Sequence, residues 1–169
     1  MSIDITLPDG SVRNYESPVT GFQIAESIGP RLLKDAVCIE INNSFKDLSY
    51  EVSSDNNVRI ITNKDLDALH ILRHSSAHIL AQAVLNLYPD AQFGVGPSIE
   101  NGFYYDFLFS NPIKENDLIN IELEMKKIAK DSQSFIRSEI TKKDAIKLFK
   151  NQNLKIELIE TAETDEGVG

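Results

Sequence analysis

The 169-residue chain is long enough for one medium domain or two small ones, and its hydrophobic fraction of 41% is ordinary for a globular protein. A net charge of -9 argues against a general phosphate-backbone binder, since nonspecific nucleic-acid affinity comes largely from Lys and Arg neutralising phosphates. No apolar run reaches membrane-spanning length and the start MSIDITLPDG has neither a basic nor an apolar leader region, so a cytosolic chain is expected.

The first sixty residues read as short strands around one helix. Ile3 to Leu7 alternate with period two, Pro8-Asp9-Gly10 is a turn, and Ser11 to Tyr15 resume the alternation, which describes a β-hairpin. Thr20 can cap a helix over residues 21–27, and Gly29-Pro30 would stop it. A strand over 36–41, a turn at Asn42-Asn43, a short segment over 45–50 and a strand over 58–62 complete a ββαβ plan, that of a ubiquitin-like β-grasp. Cys38, the only cysteine, excludes an internal disulfide; within Val37-Cys38-Ile39 it reads as a small buried hydrophobe.

Asn63, Lys64 and Asp65 lead into a helix that Pro89 ends, roughly 22 residues and about 33 Å long. Its apolar residues, Leu69, Leu72, Ile79, Leu80, Val84 and Leu87, are spread around most of the circumference, so a largely buried helix is expected. Gly94, Gly96-Pro97 and Asn101-Gly102 mark turns before Phe103 to Phe109, read as a strand with Phe103, Tyr105, Phe107 and Phe109 on one face. A helix from Pro112 to about 130 carries the stripe Leu118, Ile121, Met125 and Ile128. A strand over 135–140, a helix over 141–150 capped by Thr141 with Asp144, and a strand over 154–159 follow. The second domain is therefore α+β. The tail from Glu160 is acidic and Gly-rich, with nothing to anchor it.

Neither half is basic: five basic against nine acidic residues up to residue 62, and twelve against seventeen beyond. The cluster Lys142, Lys143, Lys147 and Lys150 reads first as the solvated face of a short helix.

All three histidines, at 70, 74 and 78, lie on the long helix. Four-residue steps rotate only 40°, so they form one ridge. Two histidines at i and i+4 can reach a common metal ion or polar ligand, and they are equally compatible with ordinary surface or hydrogen-bonded histidines. Ala77 and Ala81 leave space above the ridge for a pocket. Ser75 and Ser76 suit a polar cavity or bond back to main-chain carbonyls. The zinc-protease pattern fails, because it requires Glu where Ser75 stands.

ITLPDGSVRNYESPVT and FQIAESIG resemble the TGS domain, which occurs in threonyl-tRNA synthetases, certain GTPases and alarmone synthetase/hydrolases. RHSSAHILAQAV followed by FGVGPSIENGFYYDF resembles the start of the threonyl-tRNA synthetase editing domain, and is also similar to the editing domain of alanyl-tRNA synthetases and their free-standing relatives. The resemblance implies a TGS β-grasp domain over 1–62 and the first part of an editing domain over 63–169. It implies that His74, His78 and Tyr105 line a site that hydrolyses serine wrongly attached to threonine tRNA, with Lys155 the best match to the family's contributing lysine. His70 has no counterpart in the motif. These residue types suit such a reaction. A synthetic site that accepts threonine cannot exclude the smaller serine, so a second site hydrolyses the product, using a positioned water and donors for the oxyanion.

The family completes this site with a later D-x-C-R-G-P-H segment, which lies beyond Glu166-Gly167-Val168-Gly169. An amino-terminal fragment or truncated product is expected, one that neither activates threonine nor edits efficiently alone. The resemblance implies no cofactor within this chain; zinc, ATP and Mg belong to the ligase core that would follow, as does the homodimer contact. The implied partners are the acceptor end of tRNA(Thr) and the rest of the synthetase, with no membrane. Two other readings remain: a stand-alone TGS-containing adaptor that binds RNA or protein without catalysis, and a metal-dependent hydrolase with His74 and His78 as ligands.

Overall fold

Alternating Ile3, Ile5 and Leu7 give the chain one buried face from the start, and the computed structural model, which describes residues 1–136 and 138–162, builds the first sheet on it. Strands β1 (Ser2–Thr6) and β2 (Val12–Glu16) pair antiparallel from Ser2 with Glu16 to Thr6 with Val12. Gly10 has φ +81°, the left-handed conformation that the tight turn requires and glycine adopts without steric cost. After the short β3 (Val19–Thr20) comes α1 (Gly21–Ile28). Its capping box is reciprocal: Gln23 N donates to the Thr20 hydroxyl at 3.3 Å and Thr20 N donates to Gln23 Oε1 at 2.8 Å.

Gly29 closes α1 as expected, but Pro30 opens a further helix, α2 (Pro30–Asp35), rather than a loop. Proline is at home in the first turn of a helix, where its missing N–H costs no bond. Strands β4 (Ala36–Ile41), β5 (Ser44–Lys46), β6 (Glu51–Val52) and β7 (Asn56–Thr62) follow. Asn42 and Asn43, at φ 51° and 61°, form the β4–β5 turn. The main sheet runs β2-β1-β7-β4-β5, with β1 and β7 parallel and the other neighbours antiparallel. Helix α1 buries Ile24 and Ala25, and Ile24 joins Ile5, Ile39 and Val58 in the core between helix and sheet. This is the mixed-sheet β-grasp that the ββαβ pattern anticipates. Cys38 is buried as expected, and burial pushes its thiol up to about 11.

Helix α3 (Leu66–Leu87) occupies the expected residues. The chain divides into two compact units, Met1–Leu72 and the residues from Arg73 onward, with the division inside this helix. In the second unit come β8 (Gln92–Phe93), β9 (Ser98–Ile99), β10 (Gly102–Phe103), β11 (Phe107–Leu108), α4 (Glu115–Lys130), α5 (Lys142–Leu148) and α6 (Asn153–Thr161). The chain is α+β throughout. The core of this unit joins Ala83 and Val84 of α3 to Ile121 and Ile128 of α4, with Phe107 and Phe109 packed against them.

Four expectations are corrected. Helix α3 is not largely buried: its covered positions are mainly alanines (Ala68, Ala77, Ala81, Ala83) with Val84, while Leu69, Leu72 and Leu87 are exposed. The 103–109 strand is broken into two short pieces, β10 and β11. Helix α4 begins at Glu115, where Asp117 accepts from Lys114 N at 2.7 Å, rather than at Pro112. Residues 154–159 are helical, since Leu-Lys-Ile-Glu-Leu-Ile satisfies both periodicities and Ile159 reaches the core from a helix. Of the strand expected over 135–140, only an isolated bridge residue, Ile140, is present among the described residues; Arg137 lies outside them, as does the tail after Ala162.

Candidate functional site

In the second unit α3 presents His74 and His78 one turn apart, as four-residue spacing requires. Their Nε2 atoms are 3.0 Å apart and their rings meet edge to face, with centroids 4.6 Å apart. One ring donates and the other accepts, so when both imidazoles are neutral they hold different tautomers. Both side chains reach solvent. His78 is held below the ordinary histidine value, first by partial shielding of its ring from water, then by His74 and by the charge of Lys155. His70 is exposed and takes no part in this pair. Ala77 and Ala81 are themselves covered, at 1% and 7% exposure, so they are packing positions and not the floor of an open pocket, as their size suggests.

A cavity of about 220 Å³ opens between Ile79, Gln82, Ile128 and Phe135. The Phe135 ring is 6.1 Å from that of His78. The cavity is roomy enough for several waters, each taking about 30 Å³ of liquid volume.

Lys155 sits on α6 with Nζ 5.2 Å from the centre of the Phe93 ring, and burial lowers its pKa. Phe93 also meets Tyr105, centroids 6.4 Å apart, and Tyr105 stacks on Phe107 at 5.0 Å. Burial raises the Tyr105 phenol, which therefore stays protonated as a donor at neutral pH. Thus Lys155 and Tyr105 share one aromatic neighbour, and Lys155 is near enough to depress His78.

Sequence reasoning missed what places the lysine. Gln152 Oε1 accepts from Phe93 N at 3.1 Å, and its Nε2 donates to Ala91 O at 3.1 Å. In return Gln92 Oε1 accepts from Asn153 N at 2.7 Å and its Nε2 donates to Asn151 O at 2.9 Å. Two glutamines lace β8 to the start of α6. Neither glutamine belongs to a motif, and their partners are 59 to 61 residues away in the chain. As for metal ligation, among the described residues no third His, Cys, Asp or Glu joins the histidine pair.

The family model for the TGS domain matches residues 3–62. Nearly the whole chain matches threonine–tRNA ligases. That of Francisella philomiragia is 47% identical over 168 residues, 98% of this chain, and that of Streptococcus gordonii is 48% identical over 166 residues, also 98%. This chain is homologous to the N-terminal part of threonine–tRNA ligase. It spans about a quarter of the length of those relatives, 26% of each. The threonine–tRNA ligase of Streptococcus pneumoniae strain Hungary19A-6 matches in the same way, at 48% identity. The similarity therefore covers both units, through the His74–His78 helix and on to α6. No helix among the described residues is long and apolar enough to cross a membrane.

Proposed function

We propose that this chain carries the TGS module and part of a hydrolytic site that removes serine from mischarged tRNA(Thr), the proofreading part of a cytoplasmic threonine–tRNA ligase. The observation that carries the reading is the His74–His78 pair, with Nε2 atoms 3.0 Å apart and the Lys155 charge acting on His78, in a chain homologous to these ligases. An imidazole held below its ordinary pKa is neutral at pH 7 and ready to accept a proton from a water attacking the seryl ester. Lys155 and the protonated Tyr105 supply a cation and a donor for the charge that develops on the carbonyl oxygen. The partners in this reading are the acceptor end of tRNA(Thr) and the rest of the synthetase. The site needs no cofactor of its own, and His74 and His78 act as hydrogen-bonding groups rather than metal ligands.

The test is deacylation of seryl-tRNA(Thr) by this chain and by the chain extended with the segment that follows the matched region in the Francisella relative. The short chain should be slow, the extended one at least about a hundredfold faster, and His78→Ala in the extended chain should return the rate to that of the short one. Equal rates for short and extended chains would refute the incomplete site; an extended chain without hydrolysis would refute proofreading.

A further inference from the structure

Residues 92 to 108 fold back on themselves as one hairpin with a gap in its ladder. At the base Gln92 and Phe93 pair with Leu108 and Phe107; at the tip Ser98 and Ile99 pair with Phe103 and Gly102. Between them Gly94 N donates to Asp106 O at 2.8 Å and Asp106 N donates to Val95 O at 2.9 Å. The ladder is interrupted where Gly96 and Pro97 face Tyr104 and Tyr105, and Pro97 has no N–H to offer. Across this gap lies the ring of Tyr105. A Cβ built on Gly96 would overlap the ring's Cδ2 and Cε2 and stand 2.8 Å from Cγ, closer than side-chain carbons approach. The atoms in the way belong to a rigid ring near its root and cannot swing aside as the end of a flexible chain would. An aromatic ring covering a cross-strand glycine is a known way of filling the space that the missing side chain leaves.

The tip is held as well. The Arg73 guanidinium donates to Ile99 O at 3.3 Å and Glu100 O at 2.6 Å, so the residue before His74 clamps the hairpin that carries Tyr105. The Tyr105 hydroxyl has no hydrogen-bond partner among the described residues.

We infer that Gly96 is a positioning residue for Tyr105: its lack of a side chain lets the ring lie across the hairpin between Phe93 and Phe107, with the hydroxyl left free to donate to the seryl ester. The role of the hydroxyl rests on the proofreading reading above; the seating of the ring does not. Gly94 makes a useful contrast in the same hairpin, because a Cβ there would come no closer than 3.3 Å to Asp106 Cβ, which a small adjustment relieves.

The experiment follows the five tyrosines of the chain by ring-carbon NMR, with Tyr105 assigned by Tyr105→Phe, together with binding of a non-hydrolysable serine amide of 3′-amino-3′-deoxyadenosine. In the parent the Tyr105 phenol titrates above the ordinary tyrosine value. Gly96→Ala should bring it back toward that value and weaken the amide about tenfold, the loss of one hydrogen bond. Tyr105→Phe should weaken the amide similarly, the double variant no more than either single one, and Gly94→Ala less than about twofold. An unchanged Tyr105 signal in Gly96→Ala overturns the positioning role. A shifted signal with the amide bound equally well by parent, Gly96→Ala and Tyr105→Phe overturns the proofreading role of Tyr105 and leaves the seating standing. If Gly96→Ala does not fold, Gly96→Ala with Tyr105→Ala should fold again, since the overlapping ring is gone; a double variant as unfolded as the single one overturns the inference.

Discussion

His78 is the residue on which the electrostatics converge. Shielding, His74 and Lys155 all push its pKa down, so it is the neutral imidazole that the folded chain favours. Lys155→Met removes the like charge and should raise the His78 pKa, which proton NMR titration of the ring reads directly. The unfolded chain holds an ordinary histidine near 6.5 and takes up the proton first as pH falls, so folding is increasingly opposed from about pH 6.5 down to the depressed folded value. Lys155→Met narrows that gap, so the melting temperature of the variant should drop less between about pH 7.5 and 5.5 than that of the parent. A larger drop in the variant would mean that Lys155 does not act on His78 through its charge.

At the scale of elements, α6 is held with Lys155 over the Phe93 ring by glutamine side chains rather than by a large apolar face, since Ile159 is its only fully buried residue. Gln152→Leu leaves Phe93 N and Ala91 O, both partly shielded, without their partners. Each stranded group costs on the order of 1–3 kcal/mol. The variant should melt lower, and it should also raise the Lys155 pKa toward the ordinary lysine value as the side chain leaves the Phe93 ring; a lower melting point with an unmoved Lys155 would show that the lacing stabilises without placing. This lacing also explains what is legible in the sequence. The hairpin at Pro8-Asp9-Gly10, the Thr20 cap, the Asn42-Asn43 turn and the ridge of His74 and His78 are all local, each written within a few neighbouring residues. Helix α6 reads as a strand because its six-residue apolar alternation fits a strand as well as a helix, and the arbiter, Gln92, is 61 residues from the Asn153 N–H it accepts. The leucines of α3 mislead in the same way: periodicity says which residues share a face, and only the packed partners say whether that face is covered.

At the scale of the whole molecule, a net charge of -9 and a proposed tRNA partner set a conflict that the salt dependence of binding resolves. A protein that tracks the phosphate backbone releases one counterion for roughly every phosphate it neutralises, and its affinity falls steeply with salt. This chain offers little for that. Among its lysines, Lys147 is paired with Asp144 and Lys142 donates to the carbonyls of Glu160 and Ala162, so part of the lysine cluster at α5 is already engaged. Lys155 remains at the candidate site, close to His78 and sharing Phe93 with Tyr105. If recognition is of the aminoacylated 3′ end, the plot of log affinity for seryl-tRNA against log salt should have a slope of magnitude about one, which is what one or two phosphate contacts on a single strand give at roughly 0.7 each. Lys143→Glu with Lys150→Glu should change that slope little, whereas Lys155→Met should flatten it and weaken binding. A slope of about five or more, abolished by the Lys143 and Lys150 changes, would place the contact on the lysine cluster at α5 and identify the partner surface as the tRNA backbone instead of its acylated end.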